Sequence, residues 1–192
     1  MMAHVPLMAL DEPKQVLVVG GERPVGGAIA ARESYTLDVT IDASDWFYEA
    51  AAKDAVAQGH EIDRDALRDL YVQAHVDAAE FYDALARDVT GRSPAHVMLL
   101  HETDLAALWI GDLVAALRAK GWTIISADEA YADPFADHAK TYDTPSAQGT
   151  LTEMVAWQNG VPAPRWYRGN DTRLAQQWFD TRVLHLPAAE AD

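Results

Sequence analysis

Two short stretches hold residue types that can do chemistry together. The first, Thr40-Ile41-Asp42-Ala43-Ser44-Asp45-Trp46, places two carboxylates and an indole just after a run rich in β-branched residues. The second, Leu99-Leu100-His101-Glu102-Thr103-Asp104, brings a histidine to the end of a wholly apolar run. A carboxylate beside an imidazole fixes which ring nitrogen carries the proton, which suits a general acid or base. Each residue also has a plainer use. Ser44, Asp45 or Asp104 can cap the helix that follows it, and a lone histidine at a strand end is commonly structural. Spacing within either stretch leaves both uses open.

Other chemistries find less support. The seven histidines are His4, His60, His75, His96, His101, His138 and His185, and no two lie three or four residues apart. No helical His pair for a metal can therefore form. His96 and His101 lie five apart on one strand, which points them to opposite faces. No metal-ligating set stands out. The chain has no cysteine, which excludes disulfides and thiolate metal sites. Gly20 to Gly27 (GGERPVGG) fits neither the dinucleotide fingerprint nor the P-loop. With 15 basic and 30 acidic residues the net charge is 15 − 30 = −15. No basic stripe is present, so nucleic acid is not an expected partner. No apolar run reaches the roughly 18 residues of a membrane span. Met1 to Leu10 lacks the charged start and long apolar stretch of a signal peptide. The chain reads as soluble, with its location otherwise open.

The elements that must position these residues follow from apolar periodicity. Gln15–Val19 (QVLVV) is expected to be a buried strand, with a turn at Gly20-Gly21 and a short helix over 24–33. Leu37–Ile41 (LDVTI) reads as a second strand and residues 45–58 as a helix. From 63 to 88 the positions Leu67, Leu70, Tyr71, Ala74, Ala78, Phe81, Tyr82 and Leu85 step by three and four, the signature of an amphipathic helix. His96–Leu100 is a strand, Leu105–Lys120 a helix ended by Gly121, and Trp122–Ile125 a strand. Ser126 and Glu129 have the spacing of a capping box for a helix over 127–132. Beyond Asp133 prolines interrupt the pattern. Helices near 150–158 and 172–181 remain, with a frayed end over 187–192. Trp157, Trp166, Tyr167 and Trp178 in this tail suit packing better than stacking on sugar rings. Apolar strands alternating with helices predict an α/β fold with a mostly parallel sheet, open or curled into a barrel. Function then belongs at the carboxyl ends of the strands.

At this point the sequence resembles a known family. VTIDASDW (Val39–Trp46) resembles the fourth motif of the NodB-type polysaccharide deacetylases, carbohydrate esterase family 4, written Asp-x-x-Asp-Trp. HVMLLH (His96–His101) resembles their fifth motif, in which Leu-x-His ends a strand. A long helix between them and the downstream run LRAKGWTIISADEAYADP (Leu117–Pro134) are similar to the family as well. The resemblance covers about residues 34–135. It implies a partial or distorted (β/α) barrel and metal-dependent hydrolysis of N- or O-acetyl groups on a polysaccharide or oligosaccharide. It casts His101 as the general acid and Leu99 as part of the acetyl-methyl pocket. Asp42, Asp45 and Trp46 fill the fourth motif, and of these the Asp45-Trp46 pair would orient a catalytic arginine and the histidine and shape the groove wall. The candidate catalytic residues are thus His101, Asp45 and Asp42, and the candidate substrate-binding residues Trp46 and Leu99.

The family's first three motifs supply a base, the metal ligands and an arginine, and none of them is found here. In the family they precede the fourth motif, and only 41 residues precede Asp42. A divalent metal such as zinc is expected of complete family members, and none is evident for this chain. The expected organisation is an atypical segment 1–33, the carboxyl-terminal part of a deacetylase-like barrel over 34–135, and an irregular helical extension over 136–192. The isolated chain is expected to be inactive, with a non-catalytic glycan- or protein-binding remnant as the alternative. A small metal-free α/β enzyme using Asp42 or Asp45 with His101 is the third. A partial barrel leaves sheet edges uncovered, so either strand 15–19 closes one or the chains self-associate.

Overall fold

The computed structural model describes residues 14–21, 39–141 and 149–187. The helix expected over 24–33 and the last five residues of the tail lie outside them. Among the described residues three strands form one parallel sheet: β1 (Lys14–Gly21), β2 (Ala95–His101) and β3 (Trp122–Ile124), in the order β2-β1-β3. Val16 stands opposite His96 on one side and Ile124 on the other. Gly20 and Gly21, expected to turn, instead continue β1 opposite Leu100 and His101.

Of the expected strand Leu37–Ile41, the described structure begins at Val39, and Leu37 and Asp38 lie outside it. The amides of Thr40 and Ile41 donate to the Val97 carbonyl at 2.9 and 3.0 Å, and the Leu99 amide donates to the Ile41 carbonyl at 3.0 Å. They yield one parallel bridge, Ile41 to Met98, along the free side of β2. The N-terminal strand, expected to close an edge, runs through the sheet instead. A (β/α) ring places consecutive strands side by side; here β1 separates β2 from β3. The architecture is mixed α/β with a small parallel sheet, and the described strands do not close into a barrel.

Among the described residues six α-helices accompany this sheet: α1 (Asp45–Ala57), α2 (Arg64–Thr90), α3 (Asp104–Ala119), α4 (Ala127–Tyr131), α5 (Leu151–Gln158) and α6 (Thr172–Arg182). Short 3-10 turns occupy Pro134–Thr141 and Arg168–Asn170. The apolar stripe of α2 serves two cores. Ala78, Ala79, Tyr82 and Leu85 pack with Val16, Ile41, Met98, Leu100, Leu113 and Leu117. Leu67, Leu70, Tyr71 and Ala74 pack with Tyr48, Leu105, Trp109 and Phe179. Asp63 caps the start of α2, accepting from the Ala66 amide, and Gly91 ends it at φ 76°, where a side chain would be strained. The capping box of Ser126 and Glu129 opens α4 as its spacing predicts.

The described part of the extension packs on the core. The Leu151 amide donates to the Val39 carbonyl at 2.8 Å and the Thr152 hydroxyl to the Thr40 carbonyl at 3.0 Å, pinning the start of α5 to the strand segment. Its aromatic residues divide by role. Tyr167 is buried, Trp178 half-buried, and Trp157 and Trp166 exposed.

Candidate active site

The site begins where β2 ends. Asp45 is 1% exposed, and its two oxygens both serve one residue. Oδ2 accepts from the His101 backbone amide at 2.7 Å, and Oδ1 accepts from His101 Nδ1 at 2.7 Å. The carboxylate thus holds the backbone and the ring of His101 together. Nδ1 donates, which leaves Nε2 as the ring atom able to hand over or take a proton. The His101 side chain is 39% exposed, so solvent or a substrate can reach it. An inward carboxylate gripping an outward imidazole is the layout of an oriented proton donor or acceptor.

Local structure explains why Asp45 is free for this. Ser44 occupies the N-cap position of α1 in the left-handed conformation, φ 51°, and its side chain makes no cap bond. Asp42 Oδ1 accepts from the Ser44 amide at 2.9 Å and shapes that turn. Asp45 begins the helix but turns to β2, so the capping use does not apply to it. Asp104 does not cap α3 either: Thr103 does, accepting from the Ala106 amide at 3.1 Å.

Of the candidate residues, His101 and Asp45 are brought into direct contact. Trp46 lies beside them, 46% exposed. Leu99 is half-buried two residues before His101, held by its amide bond to Ile41. Asp42 makes no hydrogen bond to His101; its carboxylate organises the loop.

The folded chain adds neighbours that the linear pattern does not single out. Glu49, one turn after Asp45 on α1, accepts from the amides of Leu105 and Asp104 at 3.2 and 3.4 Å and pairs with Lys53 at 2.6 Å. Although burial opposes it, these partners hold the Glu49 carboxyl below its ordinary value. The spacing Asp45, Glu49, Lys53 was the one available signal. Glu153, on the first turn of α5, accepts from the Tyr82 hydroxyl. Burial first, and then the Asp42 charge, push its carboxyl upward. Asn170 Nδ2 donates to the Asp42 carbonyl at 3.0 Å, fastening the 3-10 turn of 168–170 to the site loop. Beneath the loop His75 is fully buried. Its Nδ1 donates to the Tyr71 carbonyl at 2.6 Å, and burial pushes it toward the neutral form.

His96 is structural. It is fully buried, with Nδ1 3.0 Å from the Thr40 hydroxyl and Nε2 3.5 Å from Asp83. Among the described residues no group of three or more His, Asp or Glu side chains is placed to hold a metal ion. The described residues alone therefore do not assemble a donor set for the metal that the family resemblance implies.

No match was found for this chain among family models, curated proteins or solved structures.

Proposed function

We propose that the chain carries the proton-donating part of a NodB-type polysaccharide deacetylase, a protein that hydrolyses acetyl groups on a glycan. The observation that carries this reading is the double grip of Asp45 on His101, at 2.7 Å to both the ring and the backbone. It sits on the two stretches that resemble the family's fourth and fifth motifs. In this reading His101 Nε2 protonates the departing sugar nitrogen or oxygen. Asp45 is a positioning residue that keeps Nδ1 protonated and the ring in place. Leu99 contributes to the acetyl-methyl pocket and Trp46 to the groove wall. Asp42 and Asn170 hold the loop on which both depend. The deacetylase-type barrel belongs to this same proposal.

The chain by itself is expected to bind an acetylated oligosaccharide without turning it over. The second reading, a non-catalytic glycan-binding module, draws on the exposed indoles of Trp46, Trp157 and Trp166. An acetyl-release assay on acetylated oligosaccharides, with zinc or cobalt titrated in, separates the two. If turnover is found, His101→Ala is expected to lower it by about 10²–10⁴-fold, the usual size of general acid catalysis. An unchanged rate would refute the role given to His101.

A further inference from the structure

Glu49 lies on α1 with only 9% of its surface exposed. A carboxylate so far from water needs hydrogen bonds to offset its lost hydration. It finds two of them outside its own helix. Oε2 accepts from the Leu105 amide at 3.2 Å and Oε1 from the Asp104 amide at 3.4 Å. Lys53 closes the outer side, 2.6 Å from Glu49 and 3.6 Å from the Asp104 carboxylate. Ordinary capping of α3 does not account for this arrangement. Thr103 already caps that helix from the adjoining chain, accepting from the Ala106 amide. Glu49 takes the two amides before that one, and reaches them from 55 and 56 residues away in the chain.

Those amides belong to the corner that carries the candidate proton donor. His101 ends β2, its carbonyl accepts from the Thr103 amide at 2.9 Å, and α3 starts at Asp104. One helix, α1, therefore holds both flanks of the corner. Asp45 takes the His101 amide and ring, each at 2.7 Å, and Glu49, one turn later, takes Asp104 and Leu105. Four helical residues rise about 6 Å. A corner held at one point can pivot about it, and a second hold farther along the same rod removes that freedom. The freedom matters because the bond between His101 Nδ1 and Asp45 is directional and weakens steeply as its angle closes down. Leu105, packed with Trp109, Tyr48 and Tyr71, supports the corner from beneath, but apolar packing has no direction.

We propose that Glu49 is a positioning residue for His101: by fastening the start of α3 to α1, it keeps the imidazole aligned on Asp45 with the proton on Nδ1 and Nε2 left for exchange with a ligand. That the alignment serves proton transfer to a departing sugar rests on the deacetylase reading; the alignment itself does not.

The test reads the ring. Nitrogen-15 shifts of His101 in the whole, ligand-free chain at one fixed pH give the fraction of each tautomer, with His101→Ala assigning the signals. Glu49→Gln keeps the length and one acceptor oxygen, and is expected to keep the wild-type Nδ1–H form. Glu49→Asp keeps the charge but falls one carbon short of both amides. It is expected to raise the Nε2–H fraction about tenfold, the size of a weakened charge-assisted hydrogen bond. Ala115→Gly, at an exposed position well along α3, weakens that helix without touching the corner. It is expected to lower the thermal midpoint and leave the ring as it is. A wild-type ring in Glu49→Asp beside a lowered midpoint would make Glu49 a cap of α3 and overturn the proposal. An Ala115→Gly ring shifted as far as that of Glu49→Asp overturns it too, because general loosening of α3 would then suffice. The deacetylase reading fails differently, as an acetylated oligosaccharide that does not bind the wild-type chain whichever tautomer the ring holds.

Discussion

Asp45 and His101 illustrate how much one carboxylate can constrain. Both Asp45 oxygens are used on one residue, and the side chain is almost wholly out of water. Such a group cannot be changed without consequence for the ring it holds. In Asp45→Asn the amide keeps one acceptor for the His101 N–H and turns its NH2 toward Nδ1. The imidazole is then expected to move its proton to Nε2, and any proton donation would have to start from a differently organised ring. The same exchange in the serine-protease triad leaves the geometry intact but selects the wrong tautomer. Ring 15N shifts report the tautomer directly. Retention of the Nδ1–H form in the variant would show that Asp45 does not set it.

At the scale of elements, the connections matter more than the helices. Asp133 is an example: it follows α4 and reaches back to the segment entering β2. It accepts from Arg92 at 2.5 and 2.9 Å, from the Ala95 amide at 2.8 Å and from the Phe135 amide at 2.8 Å. Burial opposes the anion, but these donors outweigh it and hold the carboxyl at about 2. A carboxyl lowered in the folded state stabilises the fold above its unfolded value, near 4, and loses that contribution as pH falls toward 2. Urea unfolding at pH 5, 3 and 2 is expected to show an acid-sensitive contribution of about 2 kcal/mol that Asp133→Asn removes. Equal slopes of stability against pH in the two proteins would mean that Asp133 is not the clamp.

The molecule as a whole carries a net charge of −15. Its compact state brings like charges together, and salt screens them: the Debye length shrinks from about 30 Å at 0.01 M to about 8 Å at 0.15 M. Calorimetry at pH 7 is therefore expected to show the thermal midpoint rising over that range by a few degrees. A midpoint that stays constant or falls would show that specific ion pairs, such as Lys14–Glu80 and Arg92–Asp133, outweigh the general repulsion. The chain offers no helix long and apolar enough to cross a membrane among its described residues. The sheet edges remain relevant to association. Among the described residues β3 is three residues long, and the opposite margin is a single bridge at Ile41. Both are short templates for pairing with another chain.

Local physics was legible from the residues alone. The stripe of α2, the caps at Ser126 and Gly91, the apolar β2 and the helices of the tail all follow from periodicity and capping chemistry within one or two turns of chain. The pairing of a carboxylate with His101 was also foreseeable from residue types at two strand ends. Which carboxylate it would be was not. Asp42 and Asp45 are three residues apart, and only the left-handed turn at Ser44 sends one to the loop and the other to His101. The place of β1 within the sheet was equally hidden, because an apolar run states that a strand is buried and not which neighbours bury it. Glu49 and Glu153 emerge only when segments distant in the chain are packed together. Sequence alone determined the elements and the chemical types at their ends. Tertiary structure decided which of those groups meet, since hydrogen bonds and ion pairs depend on separations of a few ångströms that chain spacing does not encode.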